Sequence, residues 1–349
     1  MAAAVTGSNQ RFPGGTVRSV GERRLIAAIG AIAGRSKLPK GAIGIGDDCA
    51  VVPAEAGTEV LLEVDESIEG VHFRLDWMTA ADVGHRLATQ GLSDIAAMGG
   101  MPRGALLALG VPSETDVGVL LEMVEGFAQQ TARFGAPLLG GNVSATGGPL
   151  HATVTVVGEI EQGKSVLRTG GRAGDGVYIT GFPGLARAAW HLLERGLHDR
   201  AEVQPALLRY RRPEPRVHEG RFLLRSGVVS AMIDVSDGIA GDLAQLVDAS
   251  GVSAVVQVED LPVSPELRAA ARVLDSDPLE ILLAGGDDFE LLLAGPVESV
   301  DRIREDFEAR FGVRLTRIGW LEEGAGVHLS SRSTGVRRRL EQNSYRHFQ

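Results

Sequence analysis

After the glycine-rich stretch GGRAGDG, residues 170–176, the hydrophobic pattern of this chain begins a second time. Upstream, GERRLIAAIGAIAG predicts a helix closed by Gly34, and EVLLEVDESIEG predicts a strand. AADVGHRLATQGLSDIAAMGG is a helix, RGALLALGV a strand and SETDVGVLLEMVEGFAQQTARFG a helix, followed by strands at APLLGG and LHATVTVVGEI. Downstream, the strand VYITG leads to the helix GLARAAWHLLERG, a proline-broken segment and helix at RRPEPRVHEGRFLLRSG, and a strand–turn–helix at SAMIDVSDGIAGDLAQLVDASG. Strands at SAVVQV, ELLLAG and TRIGWLE follow, the last two separated by the helix SVDRIREDFEARFG. A chain that mixes strands and helices twice over is expected to fold as two α/β (α+β) lobes. Its 349 residues are enough for about two domains. The expected division is residues 21–160 and 161–349, with residues 1–20 a disordered extension that lacks the long apolar core of a secretion signal.

The formal charge of −10 argues against a nucleic-acid partner, which would call for a basic surface. There is no stretch of about 18 apolar residues to span a membrane. Cys49 is the only cysteine, which excludes an internal disulfide and a cysteine-built zinc site and fits the cytoplasm.

Several carboxylates occupy positions that are poor for a merely solvated charge. Asp47 and Asp48 lie between GIG and the apolar CAVV. Asp65 sits within a strand, and strict alternation puts Glu63 on its face. At 100° per residue, Asp94 falls on an apolar helix stripe between Val83 and Leu87, where an unpaired charge is costly. Asp234 and Asp237 end the apolar run AMIDV and open a helix. Taken alone, Asp237 is an N-cap and Asp242 a solvated first-turn acid. Taken together, the set describes an oxygen-rich cavity for hard cations such as Mg²⁺, which bridge to substrate phosphates. GEIEQGKS, residues 158–165, spells a phosphate loop, but two glutamates line it and VLRTGGRAGDG cannot continue as the helix that such a loop needs.

In order and spacing, GERRLI, GIGDDCAV, VDESIEGVHF, LSDIAAMGGMP, GGN, VLRTGGRAGDGVYITG, IDVSDGIAGDL, GGDDFEL and YRHF resemble the thiamine-monophosphate kinase family of the aminoimidazole-ribonucleotide synthetase superfamily. The resemblance runs from Gly21 to Phe348. It implies a two-lobed fold, homodimers joined through the N-terminal lobes, and transfer of the γ-phosphoryl group of ATP to thiamine monophosphate with several Mg²⁺ ions. Asp48, Asp65, Asp94, Asp234 and Asp237 match its metal ligands. Gly141, Arg168 and Ser236 match contacts to ATP, and His72, Asp287 and Tyr345 match contacts to the thiamine substrate.

This sequence departs from the family pattern at three places. Asn142 stands where the family has an aspartate, and Glu63 where it has a small hydroxyl residue. We expect both to belong to the metal and ATP site, with the acidic charge moved within one cluster. Asp287 is one methylene shorter than the usual glutamate. Two alternatives remain open at this point. One is another ATP-dependent enzyme of the superfamily, and the other is a weakly active nucleotide-binding paralogue retired through Asn142.

Overall fold

The computed structural model describes residues 15–38, 40, 52 and 54–340. It divides into two units: residues 1–92 with 101–162, and residues 93–100 with 163–349.

In the first unit, α1 (Val17–Val20), α2 (Glu22–Ala33), α3 (Ala80–Ala97) and α4 (Val117–Arg133) accompany β1 (Thr58–Ile68), β2 (Met101–Pro112), β3 (Leu138–Thr146) and β4 (His151–Glu161). The last turn of α3 belongs to the second unit. The strands form a sheet in the order β1-β4-β2-β3, antiparallel except for the β2–β3 pair. Alternation along β4 buries Ala152, Val154, Val156 and Ile160 on one face, the signature of a sheet covered on one side. Two glycines let α3 and α4 approach closely. A Cβ on Gly84 would lie 1.9 Å from the Met123 carbonyl oxygen, and one on Gly126 would lie 2.2 Å from that of Ala81. Residues 15–20 correct the expected extension. Thr16 caps α1 by accepting from the Ser19 amide, and the Val17 and Arg18 amides donate to the Thr115 and Ser113 carbonyls. Those backbone bonds order a segment that lacks an apolar core of its own.

In the second unit, β5 (Asp175–Thr180), α5 (Leu185–Glu194), α6 (Gln204–Arg211), α7 (Val217–Ser226), β6 (Ala231–Val235), α8 (Ile239–Ser250) and β7 (Ser253–Gln257) come first. Then follow α9 (Pro265–Leu274), α10 (Pro278–Leu283), β8 (Glu290–Pro296), α11 (Val297–Phe311), β9 (Leu315–Glu322), β10 (Gly326–Ser330) and β11 (Arg337–Arg339). The sheet order is β11-β10-β7-β9-β5-β8-β6. β5, β6 and β7 are buried along their whole length, so they read as continuous apolar runs instead of alternating ones. No helix follows GEIEQGKS: β4 ends at Glu161, and residues 164–170 are irregular. The phosphate-loop spelling therefore has no phosphate-loop structure. Among the described residues, no helix is long and apolar enough to cross a membrane.

Candidate active site

Among the described residues β1 is an edge strand, and its alternation turns Glu63, Asp65 and Ser67 to one face. Three features of α3 answer them. Gln90 Oε1 accepts from the Ser67 hydroxyl at 3.0 Å. Gly91 leaves room for Glu63, because a Cβ there would stand 2.5 Å from Glu63 Oε2. Asp94 follows one turn later on the same uninterrupted helix. Glu63 is tied down further by the Val156 amide, which donates to Oε2 at 3.1 Å. One carboxylate oxygen each from Glu63, Asp65 and Asp94 lie within 4.8 Å of one another. Oxygens on opposite sides of a single Mg²⁺ stand about 4.2 Å apart, and of a single Ca²⁺ about 5 Å. Three hard, anionic donors at this spacing fit a divalent cation.

The second constellation is built where two loops cross. Asp234, the residue before the last of β6, is buried and accepts from the Ser93 hydroxyl at 2.7 Å. Ser236 is exposed, and Asp237 is half-buried in the turn into α8. The loop before β8 is pinned to this turn: the Asp287 amide donates to the Ser236 carbonyl (2.8 Å) and the Phe289 amide to that of Val235 (2.9 Å). Asp287 and Phe289 both hold positive φ, 61° and 52°, a costly conformation for residues with a Cβ. Such strain persists only where the surroundings enforce it, and it clusters at functional sites. Asp288, between them, is buried and accepts from the Gly184 amide at 2.7 Å; burial pushes its carboxyl up to about 7.

Asp242 overturns its expected place on the helix surface. It is buried, and its Oδ2 accepts from the amides of Asp237 (3.1 Å) and Gly238 (3.0 Å). The expected cap, Asp237, is therefore not the residue that caps α8; Gly238 holds the N-cap position and Asp242 bonds back to it. Burial, then the charges of Asp234 and Asp237, push Asp242 up to about 8. Burial also raises Asp234, against the Ser93 hydrogen bond and the Arg168 charge. A bound cation inverts this logic, favouring the ionised form of each group near it.

The remaining expected residues are spread through both units. His72 is half-buried, and its Nδ1 accepts from the Ile68 amide at 2.9 Å, leaving Nε2 as the donor of the neutral ring. Arg168 is exposed, and its Nη1 donates to Gln245 Oε1 at 2.9 Å. Gly141 has a packing reason to be glycine, since a Cβ there would lie 1.9 Å from the Leu107 carbonyl oxygen. Asn142 pairs with Ala108, Ala108 with Thr153, and Thr153 with Glu66. That register sets Asn142 on the sheet face opposite Glu63 and Asp65. The structure thus brings Glu63 to Asp65 and Asp94 and leaves Asn142 outside that cluster. Asp47, Asp48, Cys49 and Tyr345 lie outside the described residues.

Comparison with known proteins follows the same division of the chain. The AIR synthase related protein N-terminal domain matches residues 46–160, and its C-terminal domain matches residues 172–331. The thiamine-monophosphate kinase of Bacillus subtilis (strain 168) is 34% identical over 309 residues, 88% of this chain and 93% of that protein. The crystal structure of thiamine-monophosphate kinase from Stenotrophomonas maltophilia K279a superposes with a TM-score of 0.78 at 31% identity, covering 87% of this chain and 95% of its own. The structure of AaThiL complexed with AMPPCP and TMP gives a TM-score of 0.75 at 30% identity, covering 94% of this chain and 97% of its own. With both domains matched in order and identity sustained over most of its length, the chain belongs to the thiamine-monophosphate kinase family of AIR synthase related proteins.

Proposed function

We propose that this protein transfers the γ-phosphoryl group of ATP to thiamine monophosphate, giving thiamine diphosphate, with Mg²⁺ bound at its carboxylates. The observation that carries this reading is the cluster of Glu63, Asp65 and Asp94. The relative solved with AMPPCP and TMP supports the pair of substrates. In this reading Asp48, Asp65, Asp94, Asp234 and Asp237 hold the metal ions, Glu63 joins them as this chain's own addition, and Asn142, on the opposite sheet face, is left to the ATP contacts. Gly141, Asn142, Arg168 and Ser236 face ATP, and His72, Asp287 and Tyr345 face the thiamine substrate. The single cysteine, Cys49, fits the cytoplasm as the compartment.

The acceptor is itself a phosphate with a second pKa of about 6, so at neutral pH it is largely a dianion and needs no general base. The difficulty is holding two anions in line. Mg²⁺, when bound, supplies charge neutralisation between them. The protein's part is positional: rigid carboxylates on β1, α3 and β6, and the Arg168 guanidinium to balance charge on ATP. Transfer is direct. Incubating the purified protein with ATP, Mg²⁺ and thiamine monophosphate is expected to yield thiamine diphosphate and no labelled phosphoenzyme. ATP binding without turnover would count against the reading, and restoration of turnover by Asn142→Asp would point instead to a retired enzyme.

We also infer a homodimer through the first unit. Val60, Leu62 and Val64 lie on the outward face of edge strand β1 and are 57%, 75% and 67% exposed. Three aligned apolar side chains on the exposed face of a strand that ends its sheet among the described residues invite another chain. Leu62→Asp is expected to convert the dimer to a monomer in light scattering, and an unchanged mass would overturn this interface.

A further inference from the structure

Position 238 must be glycine. Its φ is 106°, and a Cβ there would meet the Gly285 carbonyl oxygen at 1.9 Å. Glycine has no side chain with which to cap a helix, so the cap for α8 has to come from elsewhere. Asp242 supplies it from one turn inside the helix, through its Oδ2 bonds to the Asp237 and Gly238 amides. A cap alone would need nothing more, yet the contacts continue. Asp242 Oδ1 accepts from Gln245 Nε2 at 3.4 Å, and Gln245 Oε1 accepts from Arg168 Nη1 at 2.9 Å. Further along α8, the Ser250 hydroxyl donates to the Arg168 carbonyl at 2.9 Å. Arg168 is therefore held at both ends, side chain and backbone, by the helix whose first turn fixes the backbone of Asp237.

We propose that Asp242 and Gln245 are positioning residues for phosphoryl transfer: one carboxylate fixes the turn that carries Asp237, and Gln245 links that carboxylate to the Arg168 guanidinium. This rests on the reading of Asp237 as a metal ligand and Arg168 as an ATP contact. Two groups that must meet one nucleotide would then be set by a single helix. Neither Asp242 nor Gln245 touches substrate in this scheme; both act through their partners. Supporting residues of this kind change affinity or activity by about 10–100-fold when removed.

The test uses the full-length enzyme with ATP, Mg²⁺ and thiamine monophosphate. Gln245 is exposed, so Gln245→Ala is expected to leave the fold intact. Gln245→Ala is expected to raise KM for ATP about 10-fold while KM for thiamine monophosphate stays within about twofold. In an Arg168→Ala background the same change is expected to add nothing, because the group it positions is gone. Asp242→Asn is expected to lower kcat about 10-fold or more and to raise the Mg²⁺ concentration for half-maximal rate. If Arg168→Ala raises KM for ATP but Gln245→Ala does not, the positioning role is wrong and the ATP assignment survives. If Arg168→Ala leaves KM for ATP unchanged, the assignment of Arg168 fails and the inference falls with it. Additive effects in the double variant would likewise overturn the link.

Discussion

Asp94→Asn is expected to lower kcat by at least about 100-fold while the metal-free protein melts no lower than the parent. The rate loss follows from removing a charged oxygen donor from the cluster with Glu63 and Asp65. Losing even a residue that only supports a metal ligand costs about 10–100-fold, and a ligand itself costs more. The stability expectation follows from the same geometry. Two unit charges 4 Å apart repel by about 1 kcal/mol in water and about 4 kcal/mol near a protein surface. Three carboxylates within 4.8 Å carry several such terms, which a divalent cation reverses. Removing one charge relieves repulsion in the metal-free state and weakens the gain on binding. Added Mg²⁺ should therefore raise the melting temperature of the parent more than that of the variant, since a ligand stabilises in proportion to how tightly it binds the folded state. Turnover at the parental rate, or an equal thermal response to Mg²⁺ in both proteins, would remove Asp94 from the metal site.

Much of this architecture is legible because hydrophobic periodicity reports which faces are buried. β1, α3 and α4 follow directly from alternation and the 3.6-residue repeat, and the shared face of Glu63 and Asp65 is a consequence of strand geometry alone. Asp94 is legible for a related reason: a carboxylate on an apolar stripe contradicts the pattern around it. What the sequence hides is register between strands. GGN looks like a neighbour of the β1 acids, but the pairing of β3 with β2 sets Asn142 on the opposite face. Nothing local encodes that pairing. Asp242 is hidden for a different reason. First-turn acids are ordinarily solvated and favoured by the helix dipole, so its residue type and position already had an explanation. A usable signal was present in Gly238, because a glycine at the cap position obliges some other group to satisfy the first amides. The short helix α10 is hidden as well, since its 6 residues offer less than two turns of pattern.

Glu290→Gln is expected to destabilise the second unit by about 3–5 kcal/mol, a fall in melting temperature of about 6–20 °C. Glu290 is 0% exposed at the start of β8. It receives Arg216 in bidentate fashion, Nε to Oε2 and Nη2 to Oε1, each at 2.6 Å, together with Arg209 and the Thr180 hydroxyl. Burial alone would raise its carboxyl, but the Arg216 and Arg209 guanidiniums outweigh burial and hold it below the ordinary value of 4.5. Glutamine keeps the shape and removes the charge, so two guanidiniums lose their shared counter-ion; Glu219, 3.6 Å from Arg216, is only a partial substitute. The pH dependence has a definite sign. A carboxyl whose folded pKa is depressed stabilises fully above its unfolded value, and that stability is lost as pH falls through the folded pKa. The gap in melting temperature between parent and variant should therefore be complete at pH 7 and narrow below about pH 4.5. Catalysis should feel the change too. Glu290 directly follows the loop in which Asp287 and Phe289 hold positive φ, and such strain is maintained only by firm anchors on either side. Loosening one anchor is expected to raise KM for thiamine monophosphate more than KM for ATP, if Asp287 faces the thiamine substrate as proposed. A variant within about 1 kcal/mol of the parent at pH 7 would show that neither arginine depends on Glu290, and the buried ion network would then be packing without electrostatic consequence.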